Sequence, residues 1–361
     1  MKPANNPTIL ALGADIKSRF CIFKDGEFIF SPEFGDLSSL DNFKSFKKSL
    51  LNLKIIPNVI AFDMHPGYFS SSLAGLLKAK KKIAVQHHHA HIASALAQNK
   101  ITNPVIGVAF DGTGYGSDGN IWGGEFMIVD KGNFRRQAHF KYLNMPGAEL
   151  AVNEPLRMAF SIIYDCLKDE IFKQDLEFLK LKSRSYFEVL IKMIKQNINS
   201  PLTSSAGRLF DAVSSILGIC HKINFPAQAA IELEKLAAQS TDDSSYEFDI
   251  SEEENGWIIG YNKLIKAMLN DINNRLAKKD IARRFHNGLA EVIKKVVDKI
   301  SQRYNWKDVV LSGGVFGNKL LFDCASKELK RAGYNLIYNK DVPLNDSGIC
   351  LGQSYITLNS K

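Results

Sequence analysis

Short apolar runs separated by Asp and Gly turns open the chain. Thr8 to Leu12 is apolar and β-prone and stops at Gly13-Ala14-Asp15. Phe20–Phe23 and Phe28–Phe30 then flank Lys24-Asp25-Gly26-Glu27, and an Asp-Gly pair between β-prone runs predicts a hairpin. Val59–Phe62 is a further strand, ending at Asp63 and the turn residues His65-Pro66-Gly67. A helical pattern covers Ser71–Ala79, and the basic run Lys78–Lys82 reads as its solvated end. The pattern restarts at Val105–Phe110, which halts at Asp111-Gly112-Thr113-Gly114. Glu125–Val129, a turn at Asp130-Lys131-Gly132-Asn133 and a strand from Phe134 to about Tyr142 come next. A strand, turn, strand, hairpin, strand unit therefore occurs twice, which predicts two related α/β lobes.

The stretch 150–235 reads mostly helical. The acidic segment Ser240–Gly256 reads as a surface excursion, and helical patterning resumes at Tyr261. A long amphipathic helix is expected over Asp280–Tyr304, a buried strand at Val309–Leu311, a glycine turn, a helix over Asn318–Lys330 and a strand at Leu336–Tyr338. From Asp346 the tail looks helical. This gives an expected N-terminal lobe over 1–103, with helix 346–361 packing back on it. The second lobe spans 104–345, with a helical insertion at about 150–280.

With 361 residues, 45% hydrophobic and 23% charged, the chain fits two or three domains and not a disordered one. No run approaches the roughly 18 apolar residues of a membrane helix, and Met1–Asn6 lacks a signal-peptide hydrophobic region. The five cysteines are scattered and never in CxxC spacing, which argues for a reducing, cytoplasmic setting without disulfides or a zinc ribbon. A net charge of +8 permits an anionic substrate and gives no nucleic-acid stripe.

The sharpest chemistry lies in Gln86-His87-His88-His89-Ala90-His91, where four of the eight histidines occupy five positions. On a helix His87 and His91 share a face and can reach one metal ion, with carboxylates completing the set. A polar cluster or a surface histidine run is the plainer alternative. His88 and His89 point elsewhere, toward substrate or packing. Phe110-Asp111-Gly112-Thr113-Gly114 can set a carboxylate over a metal while backbone N–H groups cradle a phosphate; a plain loop is the alternative. Leu311-Ser312-Gly313-Gly314-Val315-Phe316-Gly317-Asn318 either lets a flat ligand approach the backbone or is a tight strand-to-helix turn. Asp346 is explained by an N-cap or by metal ligation. Arg157 and Arg208 are either anion holders or salt-bridge partners.

Taken together, VQHHHAHIASALA (85–97), VAFDGTGYGSDGNIWGGEF (108–126), NEPLRMA (153–159), TSSAGRLFDAVSSILGI (203–219), AQAAIELE (227–234), ARRFHNGLA (282–290), LSGGVFGNKLL (311–321) and PLNDSGICLGQ (343–353) resemble the C-terminal carbamoyl-transfer region of the HypF hydrogenase-maturation carbamoyltransferases. The resemblance runs in register over nearly the whole chain. It implies an α/β fold of the actin-like ATPase superfamily, two duplicated ribonuclease-H-like lobes with a nucleotide cleft between them. It implies a metal site at His87, His91, Asp111 and Asp346, for iron or zinc, with magnesium accompanying the nucleotide. It places Gly313, Gly314 and Asn318 at an adenosine turn, and Gly207, Arg208, Asp211 and Glu232 along the nucleotide cleft. Lys17 falls at the first phosphate-side turn.

The reaction implied by the resemblance is transfer of a carbamoyl group from carbamoyl adenylate, made from ATP with AMP leaving, to the C-terminal cysteine thiol of a HypE-like partner. That step belongs to cyanide-ligand synthesis for nickel–iron hydrogenase. The backbone around Gly112, Thr113 and Gly114 would face the phosphate, and His88 or His89 would assist proton movement from the thiol. Related transferases of the same fold act on tRNA, as threonylcarbamoyl enzymes, or on small-molecule hydroxyls. Full-length members carry an acylphosphatase-like domain, zinc modules and an adenylate-forming domain. Their absence from this sequence implies a stand-alone subunit supplied by a separate adenylate-forming protein, or an excised region. Gly317 and Ala148 stand where the family has other residues.

Overall fold

The computed structural model describes residues 7–360; Met1–Asn6, expected to hold no signal sequence, and Lys361 lie outside the described residues. Strands β1 (Ile9–Ala11), β2 (Cys21–Lys24) and β3 (Glu27–Phe30) form an antiparallel meander turned at Asp25-Gly26. Helix α1 (Leu40–Leu51), which the apolar pattern did not announce, leads to β4 (Val59–Asp63). Helix α2 (Phe69–Leu76) leads to β5 (Lys81–Val85). The Asp15 carboxylate accepts the Phe69 and Ser70 N–H groups at 2.7 and 2.9 Å, satisfying donors that a helix start leaves open. The strand order is β3-β2-β1-β4-β5, with β4 and β5 parallel to β1. Lys81 and Lys82 thus belong to an edge strand and not to a helix end. Exposed lysines there discourage pairing with another sheet edge.

Helix α3 (His87–Asn99) crosses to the second sheet, where β6 (Val105–Tyr115), β7 (Ile121–Asp130) and β8 (Asn133–Phe140) repeat the meander. The short strands β9 (Leu143–Asn144) and β10 (Leu202–Thr203) bracket α4 (Glu149–Asn153), α5 (Pro155–Leu167), α6 (Glu177–Lys180) and α7 (Arg184–Gln196). Helices α8 (Ala206–Ile216) and α9 (Gln228–Ala237) come next, then the hairpin β11 (Asp249–Glu253) and β12 (Gly256–Gly260). The acidic excursion is therefore partly sheet. Its Asn255-Gly256 turn is a hairpin signal the acidic composition masked, and β12 pairs β8 with Trp257 and Ile259 buried. Helices α10 (Asn262–Asn273) and α11 (Lys278–Tyr304) precede β13 (Asp308–Ser312), α12 (Lys319–Arg331), β14 (Asn335–Ile337) and α13 (Ile349–Asn359).

Strands β8-β7-β6-β13-β14 reproduce the order and directions of β3-β2-β1-β4-β5. The duplication expected of paired ribonuclease-H-like lobes is thus present strand by strand. Helix α13 lies on β1, β4 and β2, α3 lies on β6, β7 and β13, and the two helices pack on each other. This sandwiching buries every residue of α3 from His87 to Leu96. Small residues set the crossing distance: a Cβ on Gly352 would lie 1.9 Å from the Ala90 carbonyl oxygen.

Candidate metal centre

Buried on every side, the first turn of α3 holds its imidazoles without solvent. Gln86 is the N-cap, its side-chain oxygen accepting the His89 N–H at 2.8 Å. His87 and His91, one turn apart, aim Nε2 at a common centre. Asp111 Oδ2 lies 3.4 Å from His87 Nε2 and 3.0 Å from His91 Nε2. Asp346 Oδ1 lies 3.7 and 3.6 Å from the same two nitrogens. One donor atom from each of the four residues falls within 4.8 Å of all the others.

Both carboxylates are held by local structure. Strand β6 does not end at Phe110, as the Asp-Gly turn suggested. It continues to Tyr115 through a register shift between Phe110 and Gly114, and the shift swings Asp111 toward α3. Ser205, the N-cap of α8, donates its hydroxyl to the Asp111 and Gly112 carbonyls. Asp346 opens a short 3₁₀ turn before α13. The capping there is done by Asn345, which accepts the Ser347 N–H at 3.1 Å, so Asp346 is free to face the histidines.

Asp63, the last residue of β4, reads in the sequence only as a strand terminus. Its Oδ2 sits 2.7 Å from His87 Nδ1, both side chains being fully buried. The contact fixes the ring and leaves Nε2 facing the centre, the arrangement by which an outer carboxylate orients a metal-ligating imidazole. Burial alone would depress His87; Asp63 and then Asp111 outweigh it and hold the imidazole well above its ordinary value. Burial likewise opposes the charged forms of His91 and Asp111. The hydrogen bond to Asp111 still raises His91, and the nearby His87 and His91 rings together hold the Asp111 carboxyl well below the usual range. Tyr68, also unforeseen, adjoins the group: burial and then Asp63, Asp346 and Asp111 push its phenol up.

The donor set fits a divalent ion. His87 Nε2 is buried with no hydrogen-bond partner although two carboxylates face it. Two imidazoles and two carboxylates suit zinc, iron or manganese alike.

The other expected site residues divide by position. Gly314 borders the centre, since a Cβ there would lie 2.9 Å from Asp111 Oδ1. Gly313 needs its positive φ of 105°, and any side chain would strike the Phe110 carbonyl. Gly114 backs onto the imidazoles: a Cβ would lie 2.5 Å from His88 Cε1 and 3.0 Å from His87 Cδ2. Gly112 N–H is spent on Asp111 Oδ1 at 2.7 Å, so it does not offer a phosphate donor as expected. Thr113 is exposed.

Gly207 packs against Gly112. Arg208 pairs with Asp211 at 2.7 Å and reaches the Gly112 carbonyl at 3.4 Å, tying α8 to the β6 irregularity. Burial raises the Asp211 carboxyl despite Arg208. Glu232 is half-buried on α9, accepting from Gln228 at 2.7 Å. Asn318 caps α12 and contacts His286 Nε2 at 3.0 Å, so its side chain is occupied within the fold. Lys17 is exposed, in a turn with φ of 48°. His89 lies against Phe134, ring centroids 4.9 Å apart, and burial pushes it down to about 3. It is not among the four convergent residues.

Residues 107–353 match the family described as "Carbamoyltransferase, Kae1-like Domain, second subdomain", and residues 4–98 match "HypF Kae1-like domain". A probable carbamoyltransferase HypF of Methanocaldococcus jannaschii is 33% identical over 98% of this chain and 47% of its own length. A carbamoyltransferase HypF homolog of Cupriavidus necator is 31% identical over 98% of this chain and 92% of its own length. The crystal structure of a full-length HypF in a phosphate- and nucleotide-bound form superposes with a TM-score of 0.93 at 35% identity, covering 99% of this chain and 56% of that one. The chain spans about half the length of the first curated relatives it matches.

Proposed function

Because the chain belongs to the HypF carbamoyltransferase family, we propose that it moves the carbamoyl group of carbamoyl adenylate to the C-terminal cysteine thiol of a HypE-like partner in hydrogenase maturation. The observation that carries this reading is the buried centre of His87, His91, Asp111 and Asp346, with His87 Nε2 unpartnered in its midst. A divalent ion held there supplies Lewis-acid polarisation of an acyl-phosphate oxygen.

The chain's own residues do the rest. Asp63 fixes the His87 ring, and Ser205 and Arg208 lock the carbonyls around Asp111. Asp111 and Asp346 reach the centre from different connections, beside the Gly313-Gly314 turn. We place the nucleotide along that turn, with Asn318 at its end and Gly207, Arg208, Asp211 and Glu232 as the facing wall. That a similar full-length HypF was solved with phosphate and nucleotide bound supports nucleotide binding as such. Lys17 and the Gly112–Gly114 backbone are assigned to the phosphate side, Gly112 contributing through its fold and not its N–H. The nucleophile comes from the partner. Cys21, Cys220 and Cys350 are buried, and burial raises the thiols of Cys166, Cys220 and Cys324, so none is poised to attack. Among the described residues no helix is long and apolar enough to cross a membrane.

The test is to incubate the chain with carbamoyl adenylate and a HypE-like protein, then examine the acceptor's C-terminal peptide by mass spectrometry. Carbamoylation of the terminal cysteine, lost in His87→Ala, is expected. An unmodified protein acceptor alongside a carbamoylated tRNA or small hydroxyl compound overturns the assignment.

A further inference from the structure

His88 stands between two residues of the centre yet belongs to neither side of it. Its ring is fully buried, 5.4 Å from the His87 ring, 6.5 Å from that of His91 and 6.2 Å from the Trp122 ring. Against it lies Gly114, where a Cβ would come within 3.1 Å of His88 Nε2. The absence of a side chain at that point of β6 leaves the imidazole its place beside the Asp111 irregularity.

The proton on this ring is fixed by its neighbour. The Gln86 side-chain oxygen is committed to the His89 N–H at 2.8 Å. Its amide nitrogen therefore faces the other way, 3.1 Å from the Tyr115 carbonyl and 3.1 Å from His88 Nδ1. A carboxamide NH₂ can only donate, so Nδ1 must accept and the ring's proton resides on Nε2. That Nε2 is buried and has no partner. Folded proteins leave few buried donors unpaired, and this one belongs to a ring whose centroid lies 5.4 Å from that of His87.

We propose that His88 is a neutral hydrogen-bond donor, through Nε2–H, to an oxygen of the acyl phosphate bound at the centre, and that Gln86 is the positioning residue that sets its tautomer. The substrate in this statement rests on the function proposed above; the tautomer does not. The assignment replaces proton shuttling by His88, because a second ring proton would set N–H against N–H at Gln86. A preorganised donor of this kind contributes roughly 10²–10³ in turnover where negative charge develops on an oxygen.

The tautomer is read directly from two-bond ¹H–¹⁵N correlations of the full chain labelled at histidine, with His88→Ala for assignment. Protonated Nε2 and bare Nδ1 are expected for His88, and Gln86→Glu, which offers an acceptor to the ring, should bring a proton to Nδ1. A wild-type His88 protonated on Nδ1 overturns the proposal. In turnover of carbamoyl adenylate, His88→Ala should lose roughly 10²–10³ with metal content unchanged, and His88→Gln, whose amide can donate but not shuttle, should recover part of it. Undiminished turnover in His88→Ala also overturns it.

The affinity for AMP and inorganic phosphate identifies the oxygen. Unchanged affinity with lowered kcat marks the carbamoyl carbonyl, and weakened affinity marks the phosphate. A wild-type chain with Nε2–H in place that turns over no carbamoyl adenylate would fail the earlier reading and leave the tautomer standing.

Discussion

Removing the Asp63 carboxylate should weaken metal binding without touching a metal ligand. Asp63 Oδ2 accepts from His87 Nδ1 at 2.7 Å while Oδ1 accepts the His65 N–H at 2.9 Å. Both partners of the His87 contact are fully buried, so water does not replace a lost acceptor. Outer carboxylates of this kind are worth about 10–100-fold in metal affinity, or about 1.4–2.7 kcal/mol. Asp63→Asn keeps an oxygen for the His87 N–H and loses only the charge, which places it near the tenfold end. Asp63→Ala strands a buried N–H, a cost of about 1–3 kcal/mol, and also frees the ring to rotate, so a loss near 100-fold is expected. Competition with a chromophoric chelator at fixed pH measures both, with circular dichroism to confirm an intact fold. Wild-type affinity in both variants would refute the role given to Asp63.

Gly314→Ala should loosen the same centre from the opposite side, because its methyl would press on Asp111 Oδ1 at 2.9 Å; metal titration of the variant checks this. Metal affinity should climb as pH rises past about 6.5, since His87 and His91 are held above that value in the metal-free chain and must lose protons to an ion. Isothermal titration between pH 6 and 9 tests it, and a flat profile counts against it. Stability of the metal-free chain runs the other way in that range. A raised His87 contributes fully below the unfolded imidazole value of about 6.5 and loses that contribution as pH rises through its folded value. Asp111, held low, keeps its contribution until pH falls through its own depressed value. Denaturant titrations of chelator-treated protein at several pH values show both limbs. Asn318→Ala removes the α12 cap and strands His286, and should cost about 1–3 kcal/mol in the same assay.

Much of the architecture was legible because the β-β-β meander writes itself as alternation and Asp-Gly turns, and it occurs twice. The departures have local causes. Strand β6 runs on through Asp111–Gly114 because Ser205 and Arg208, distant in sequence, take up its carbonyls. Lys81 and Lys82 looked like the end of a helix because an edge strand can carry lysines as readily as a helix can. The histidine pair was visible from its one-turn spacing. Asp111 and Asp346 were not decided by local pattern, since a loop Asp and an N-cap Asp look alike in sequence; the family resemblance named them. Asp63 and Gln86 gave no signal beyond ending a strand and preceding a helix. Their roles exist only once β4 and β6 are laid beside α3.

Anomalous scattering at the absorption edge of the bound element, on crystals of metal-loaded protein, addresses the four-residue centre most directly. The account predicts one peak at about 2.0–2.3 Å from His87 Nε2, His91 Nε2, Asp111 and Asp346, absent in His87→Ala. A peak held by other residues, or one that persists unchanged in that variant, would contradict it.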